Sequence, residues 1–236
     1  MRFMIKKLML LLMFGFILLY SLTATAPLEN FSPETSVGET VIQQGYDDTA
    51  SKNLVAAILL DYRLFDSIFE AGILLISAAG VLYMTQSSAY SRPFPRAKVA
   101  AAPKDSDTIL AVSRILYPFM LLFGFYIIVF GDLSPGGGFQ GGVILATARL
   151  ISVYIPEKAS ADTNLLNRLE KILFLSLLSL GLISLFTEGA PFTNFLSGSL
   201  DPELRRLFLV LLNLLIGLKV SSGLTIIFTR FVKEGK

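Results

Sequence analysis

The chain has 236 residues, of which 53% are hydrophobic and 16% are charged. Soluble domains carry about 25% charged residues, so this balance is typical of a membrane protein. The sequence contains no cysteine and no histidine, which excludes a Cys-ligated iron–sulfur cluster, a Cys/His zinc site and a His-ligated haem in this chain. The small net charge of +2, without a basic and aromatic-rich patch, argues against a nucleic-acid partner.

A series of apolar blocks predicts an all-α, polytopic integral membrane protein with about six transmembrane helices. The blocks are residues 8–22, 69–84, 115–130, 139–155, 172–186 and 207–231. The connections between them differ in charge: residues 27–53 and 188–203 are acidic, whereas residues 87–113 are basic. Because positive loops stay on the cytoplasmic side, both termini are predicted to be cytoplasmic.

The first apolar block has two interpretations. Lys6 and Lys7, an apolar stretch and then Ala24-Thr25-Ala26 match a secretory signal peptide with a small-residue cleavage site. The same residues also fit a first membrane helix that is retained in the protein, which is the interpretation we favour. Cleavage would leave the orientation of the later helices unchanged, so the loop charges do not decide between the two.

Two polar connectors divide the chain into modules. Residues 27–52 are rich in Pro, Thr, Gly and acidic residues, and they predict an extracytoplasmic loop without periodic structure. Residues 87–112 are basic and rich in Pro and Ala, and they predict a cytoplasmic linker. The linker would join a two-helix module, residues 1–86, to a four-helix domain, residues 113–236.

Charged residues inside apolar blocks are candidate functional residues, because each costs about 2.5–3.5 kcal/mol at the centre of a membrane helix. Lys219 lies well inside the last block, where Gly217 and Ser221 allow close contact with another helix. An interior partner for Lys219 is favoured over a side chain that reaches the inner headgroups. For Arg149, in the inner half of its block, both alternatives stay open.

A second group of charged residues lies just before and at the start of the apolar block at residues 69–84. If residues 54–70 form one helix, three charged side chains lie within about 60° of one another by the helical period, namely Arg63, Asp66 and Glu70. Asp61 would face the opposite side. Glu70 is then a candidate to exchange protons or to bind Na+ transiently, and it is the one metal-binding position predicted. Alternatively, residues 61–66 mark the outer membrane interface, with Glu70 one turn below it.

The most distinctive stretch is residues 131–142, Gly-Asp-Leu-Ser-Pro-Gly-Gly-Gly-Phe-Gln-Gly-Gly. Its proline and glycines predict a short turn between two membrane helices and leave room where another helix comes close. The helix-packing candidates are Pro135, Gly136, Gly137, Gly138, Gly141, Gly142, Gly217 and Ser221. Asp132 is either an ion-path carboxylate or a solvated helix cap. The embedded G-x-G-x-x-G is not a dinucleotide motif, because an apolar block of membrane length precedes it instead of a strand.

These residues carry a resemblance to a known family. Residues 131–142 resemble the signature of the B subunit of Mrp-type multisubunit Na+/H+ antiporters (MnhB-like), and residues 217–224 resemble a segment of that family's final helix. Residues 53–66, continuing through Glu70, are similar to the C-terminal end of the large A subunit, which is a separate small subunit in related membrane-bound hydrogenases and sulfur reductases. The chain thus resembles a fusion of two neighbouring subunits. Many B subunits have His where this chain has Asp132, so an imidazole relay is impossible here.

The resemblance implies a function in ion transport across the cytoplasmic membrane. The chain would be an accessory ion-path subunit that works with A-, C-, D-, E-, F- and G-like subunits and with a peripheral redox arm, coupling electron transfer to Na+ and H+ movement. Iron–sulfur clusters, and nickel–iron in a hydrogenase, would belong to partner subunits, with no cofactor and no catalytic residue in this chain. The ion-path candidates are Glu70, Asp66, Arg63, Lys219 and Asp132. The alternatives are a subunit of a stand-alone Mrp antiporter, a purely structural scaffold subunit and an independent transporter.

Overall fold

The computed structural model describes residues 15, 37–86, 107–152, 155, 163–187 and 201–234. The chain divides into two compact units, Met1–Thr40 and Val41–Lys236. In the first unit, Gly15 and residues 37–40 are described. The first apolar block, its interpretation as a signal peptide, and most of the predicted linker lie outside the described residues.

The regular elements in the described part of the chain are helical. They are α1 (Val37–Thr49), α2 (Leu54–Ala57), a π-helical segment (Ile58–Tyr62), α3 (Leu64–Gln86), α4 (Asp107–Val129), α5 (Gly138–Ile151), α6 (Thr163–Thr187) and α7 (Pro202–Glu234). Within the described ranges, three stretches are long and apolar enough to cross a membrane: Leu64–Thr85, Thr108–Val129 and Pro202–Phe231. Helix α5 is apolar but shorter. The predicted all-α membrane class is confirmed. The number of spans and the side on which the termini lie stay predictions.

Helix α7 is the element on which the others converge. It packs against α3, α4, α5 and α6. Its buried apolar residues form one cluster with residues of the π-helical segment, α3 and α6; the α7 members are Leu209, Leu212, Ile216 and Val220. Because lipid is as apolar as these side chains, such an interface is stabilised by close packing rather than by transfer out of water.

The prediction of an unstructured loop at residues 27–52 is wrong for its second half, which forms α1. Gly45 and Thr49 are buried on one face of this helix, and the Thr49 hydroxyl donates a hydrogen bond of 2.6 Å to the Gly45 carbonyl. The helix ends at Ala50, which has a φ of 58°. Few residues of this helix are apolar, so a search for long apolar blocks passes over it, although those residues recur with the helical period.

The prediction that residues 54–70 form one helix is also wrong. The chain widens into the π-helical segment and breaks at Arg63, which has φ −132° and ψ 45° and donates its backbone N–H to the Ile58 carbonyl at 2.7 Å. The Ser67 hydroxyl then donates to the Leu59 carbonyl at 2.7 Å, which satisfies an acceptor that the break leaves free. A π turn holds an extra residue and shifts the phase of a helical wheel. Arg63, Asp66 and Glu70 all follow that turn and keep the predicted common side, whereas Asp61 is buried.

Candidate functional site

A buried ion pair occupies the contact between α3, α6 and α7. The Lys219 side chain on α7 is 0% exposed, and its Nζ lies 3.6 Å from Oε1 of Glu170 on α6. The same ammonium donates a hydrogen bond to the backbone carbonyl of Ala71 on α3. Gly223 leaves the space for the carboxylate, since a Cβ at that position would lie 2.7 Å from Glu170 Oε1. Lys219 therefore has an interior partner within this chain.

Glu170 was not among the residues that the sequence singled out. It precedes the apolar block at residues 172–186 and stands among other charges, so it was assigned to a connection. The structure places it in the second turn of α6, which begins at Thr163. A usable signal did exist, because Glu170 continues the four-residue spacing of the inward-facing Leu166 and Phe174.

The predicted ion-path residues of the first module lie on the surface of this chain. Arg63 Nε is 2.7 Å from Asp66 Oδ2, with side chains 67% and 40% exposed. Glu70 is exposed one turn further along α3, beside the exposed Phe69 and Ile73. The structure thus brings Arg63 and Asp66 together, but among the residues that it describes no second helix covers this pair or Glu70.

Asp132 is completely buried, which contradicts the alternative of a solvated helix cap. Its Oδ2 lies 2.6 Å from Nε of Arg206 near the start of α7. Its backbone carbonyl accepts hydrogen bonds of 2.9 Å from the Asn53 N–H and from the Ser51 hydroxyl. Its other carboxylate oxygen, Oδ1, has no hydrogen-bond partner among the described residues. Asp132 therefore links the turn after α4 both to α7 and to the segment before α2.

Asn53 completes this link, and sequence reasoning missed it. Its side-chain amide donates to the carbonyls of Gly131 at 2.7 Å and Ser134 at 2.9 Å. Its Oδ1 accepts from the first N–H groups of α2, so one side chain caps a helix and fastens the turn. Arg205 on α7 also donates to the last carbonyls of α1, those of Asp47 and Asp48.

The α1 end is tied to the π-helical segment by Tyr62, whose hydroxyl donates a hydrogen bond of 2.5 Å to the Asp48 carboxylate. Partial burial raises the pKa of the Tyr62 phenol, and the neighbouring Asp48 carboxylate raises it further. This contact lies outside the stretches that are long enough to cross a membrane. It holds the break in the helix against α1.

The glycine-rich turn packs against α7 and α4. Gly136 and Gly137 have φ values of 146° and 138°, a region that strains any residue with a Cβ. The Gly138 N–H, at the start of α5, donates to Asn213 Oδ1 at 2.8 Å. A Cβ at Gly142 would lie 2.7 Å from the carbonyl oxygen of Gly217, so α5 and α7 meet backbone to backbone.

The remaining predicted residues have simpler surroundings. A Cβ at Gly141 would lie 2.7 Å from the carbonyl oxygen of Gly124 on α4. Pro135 is exposed on the turn, and Ser221 is partly buried on α7. Arg149 donates to the Ser152 hydroxyl at 3.1 Å, at the end of α5. Within the described residues, no group of three or more acidic side chains is arranged to hold a metal ion.

These features define a multi-pass membrane subunit with buried ion pairs and a glycine-packed helix contact. The model of the family described as "Domain related to MnhB subunit of Na+/H+ antiporter" matches residues 108–226, just over half of the chain. The chain belongs to this family. The match covers both the glycine-rich stretch and residues 217–224, and it confirms the resemblance drawn from them.

Two relatives extend the comparison. An uncharacterized protein of Methanocaldococcus jannaschii is 27% identical over 195 residues, which cover 73% of this chain and 74% of that protein. A Staphylococcus epidermidis protein with the name "Putative antiporter subunit mnhB2" is 34% identical over 90 residues, which cover 37% of this chain and 60% of that protein.

Two solved structures share the fold. The membrane-bound sulfane sulfur reductase, an archaeal respiratory membrane complex, contains a chain with a TM-score of 0.63 and 24% identity; the match covers 96% of this chain and 98% of that one. The Mrp complex of a Dietzia species contains a chain with a TM-score of 0.63 and 20% identity; the match covers 90% of this chain and 24% of that one.

Proposed function

We propose that this chain is an accessory ion-path subunit of an Mrp-type Na+/H+ antiporter module in the membrane arm of a respiratory complex. The observation that carries the proposal is an exposed carboxylate, Glu70, inside a stretch that is long enough to span a membrane, in a chain of the MnhB family. The fold shared with a sulfane sulfur reductase chain along almost its whole length favours the respiratory setting.

Glu70 needs a partner in the membrane. A charge that faces lipid costs about 2.5–3.5 kcal/mol at a helix centre, whereas a carboxylate that lines a hydrated passage is solvated. Because Glu70 lies on the surface of this chain, the other wall of such a passage belongs to a neighbouring subunit. Na+ prefers oxygen ligands as a hard cation, and a carboxylate with water supplies them. The Arg63–Asp66 pair at the beginning of α3 would form one end of the passage.

The partners follow from this role. We propose A-, C-, D-, E-, F- and G-like membrane subunits around this chain, and a peripheral arm that holds iron–sulfur clusters and, in a hydrogenase, nickel–iron. Catalysis of the redox step would belong to that arm. The contribution of this chain is the carboxylate path beside the buried Lys219–Glu170 pair, with Asp132 and Arg206 linking the turn after α4 to α7.

Purification of the native complex through a tag on this chain tests the assembly. Antiporter-like subunits together with iron–sulfur proteins are the expected result, and nickel in the sample would assign the complex to a hydrogenase rather than a sulfur reductase. Antiporter-like subunits alone would instead support the second candidate, a stand-alone Mrp exchanger, which the name of the staphylococcal relative favours. A chain that purifies without other subunits would contradict both candidates.

Replacement of Glu70 by glutamine tests the ion path. We expect Glu70→Gln to abolish Na+-dependent H+ movement in membrane vesicles while the complex still assembles, because shape is kept and the charge is lost. Glu203→Gln, which changes an exposed carboxylate in the first turn of α7, is the matched control and should leave transport unchanged. Loss of assembly in step with loss of transport would favour the scaffold alternative instead.

A further inference from the structure

We infer that Glu170 is a proton-binding residue whose protonation weakens cation binding at Glu70, through the charge of Lys219. The inference rests on the proposed cation site at Glu70. It assigns a role to a buried carboxylate that the proposed path does not itself use. In effect, the chain would hold a proton site and a cation site in which occupation of one weakens binding at the other.

The contact between the two sites is made across α3. The Lys219 ammonium donates its hydrogen bond to the carbonyl of Ala71, the residue that follows Glu70. Ala71 is completely buried, whereas Glu70 points to the outer surface of the same helix turn. The ammonium and the Glu70 carboxylate therefore stand on two sides of one helix, a separation on the order of 10 Å.

The net charge of the Lys219–Glu170 pair depends on whether Glu170 is ionised. When Glu170 is ionised, it neutralises Lys219 at 3.6 Å, and the pair has little influence on a cation at Glu70. A proton that arrives from water forms an O–H bond on the carboxylate, and the pair then carries one net positive charge. Glu170 Oε1 lies beyond hydrogen-bond distance of the ammonium and has no hydrogen-bond partner among the described residues, so its negative charge is balanced by the ion pair alone.

Other charged groups lie on the same helices and on those packed against them. On α6, Lys171 is adjacent in sequence but exposed, and Arg168 is exposed as well. On α5, Arg149 is bonded to Ser152. Further charged groups on the elements packed against these helices include Asp61 in the π-helical segment, Asp66 on α3, Arg114 on α4, and Glu203, Arg205, Arg206 and Arg230 on α7. Lys219 is the cation that the structure pairs with Glu170 in the buried contact.

The size of the effect can be bounded. Two unit charges about 10 Å apart, at an effective dielectric constant of about 20, change a binding constant on the order of tenfold. A cation at Glu70 should therefore bind about ten times more weakly when Glu170 is neutral and Lys219 is charged. The effect requires no movement of the helices.

The test measures the KM for Na+ in H+ transport by vesicles that contain the whole complex, at neutral pH, where lysine is protonated and exposed carboxylates are ionised. Glu170→Gln mimics the protonated residue, and its KM for Na+ should be about tenfold above that of the unmodified complex. The double variant Glu170→Gln/Lys219→Met has no charge at the pair, and its KM should return to the unmodified value. A KM unchanged in the single variant, or still raised in the double variant, would overturn the inference.

The double variant also covers the case in which Glu170→Gln fails to assemble. As the pH is lowered, the KM of the unmodified complex should rise more steeply than that of the double variant, because the double variant cannot gain charge at the pair. Equal slopes would contradict the inference. The proposed function fails separately: if Glu70→Gln keeps Na+-dependent transport, Glu70 is not the cation site, whatever Glu170→Gln does.

Discussion

On the side of α7 that faces α5, glycines of α5 bring the two helices into backbone contact. Gly142 of α5 lies against Gly217 of α7, and Gly138 lies against the carbonyl of Asn213. On the side that faces α3 and α6, contact is made through a buried ion pair, Lys219 with Glu170. Helix α7 therefore has one contact that leaves no space for an added atom and one contact whose net charge can change.

The two contacts of α7 differ in what they contribute to the protein. Close backbone contact through glycines gains van der Waals packing that any added atom would disturb. A buried ion pair contributes little net stability, because the cost of desolvating both charges offsets their attraction. Its retention in the interior is therefore better explained by a role in charge than by a role in stability. The following changes break one contact or the other.

Removal of one charge from the pair should have the largest effect on stability. Lys219→Met leaves Glu170 as a buried carboxylate without its cation, and breaking a buried pair in this way costs about 3–5 kcal/mol. The double variant Lys219→Met/Glu170→Gln should recover most of this loss, since no charge remains. The thermal unfolding midpoint of the purified complex measures both. A double variant as unstable as the single one would show that packing, rather than the unpaired charge, is responsible.

Neutralisation of Asp132 should come next. Asp132→Asn breaks the buried end of the pair with Arg206, and because the arginine is 45% exposed we expect a loss of about 3 kcal/mol, the low end for a buried pair. The matched control is Asp47→Asn, which changes an exposed carboxylate on α1 and should alter stability by less than about 0.5 kcal/mol. Equal midpoints for the two variants would mean that the Asp132–Arg206 pair does not hold the turn.

A methyl group at the glycine contact tests the other side of α7. Gly142→Ala would place a Cβ 2.7 Å from the Gly217 carbonyl, and this overpacking should cost about 2 kcal/mol. Gly80→Ala is the control, because Gly80 is at an exposed position of α3 and a Cβ there would meet nothing within 4 Å. We expect a lower midpoint and lower yield of complex for the first variant alone. A tolerated Gly142→Ala would show that the contact relaxes more easily than its geometry suggests.

The class of the protein, the turn at residues 131–142 and the interior position of Lys219 could be predicted from sequence. Each has a strong local signal, namely apolar length, glycine density or a charge in an apolar block. Asn53 and Arg206 could not be found in this way, and Glu170 had only the weaker signal of its four-residue spacing from Leu166 and Phe174. Asn53 and Arg206 act through partners 78 or 74 residues away in the chain, and their polarity suggested ordinary surface positions. The break at Arg63 was missed because a π turn leaves no distinctive residue pattern.

The smallest predicted effect concerns Ala50, which lies between the end of α1, bonded to α7, and Ser51, bonded to the turn after α4. Arg205 fixes the last carbonyls of α1 before Ala50, and Ser51 fixes the turn after it. With a φ of 58°, Ala50 bears a strain of about 1–2 kcal/mol that glycine lacks, while glycine adds about 0.4–1 kcal/mol of unfolded-state entropy.

We therefore expect Ala50→Gly to stabilise the complex by less than about 1 kcal/mol in its unfolding midpoint. Ala111→Gly, at an exposed position inside α4, should have the opposite sign and cost about 0.5–1 kcal/mol. If Ala50→Gly instead lowers the midpoint, the left-handed residue is not strained where it stands. The connection between α1 and α2 would then depend on the hydrogen bonds of Arg205 and Ser51 rather than on the conformation of Ala50.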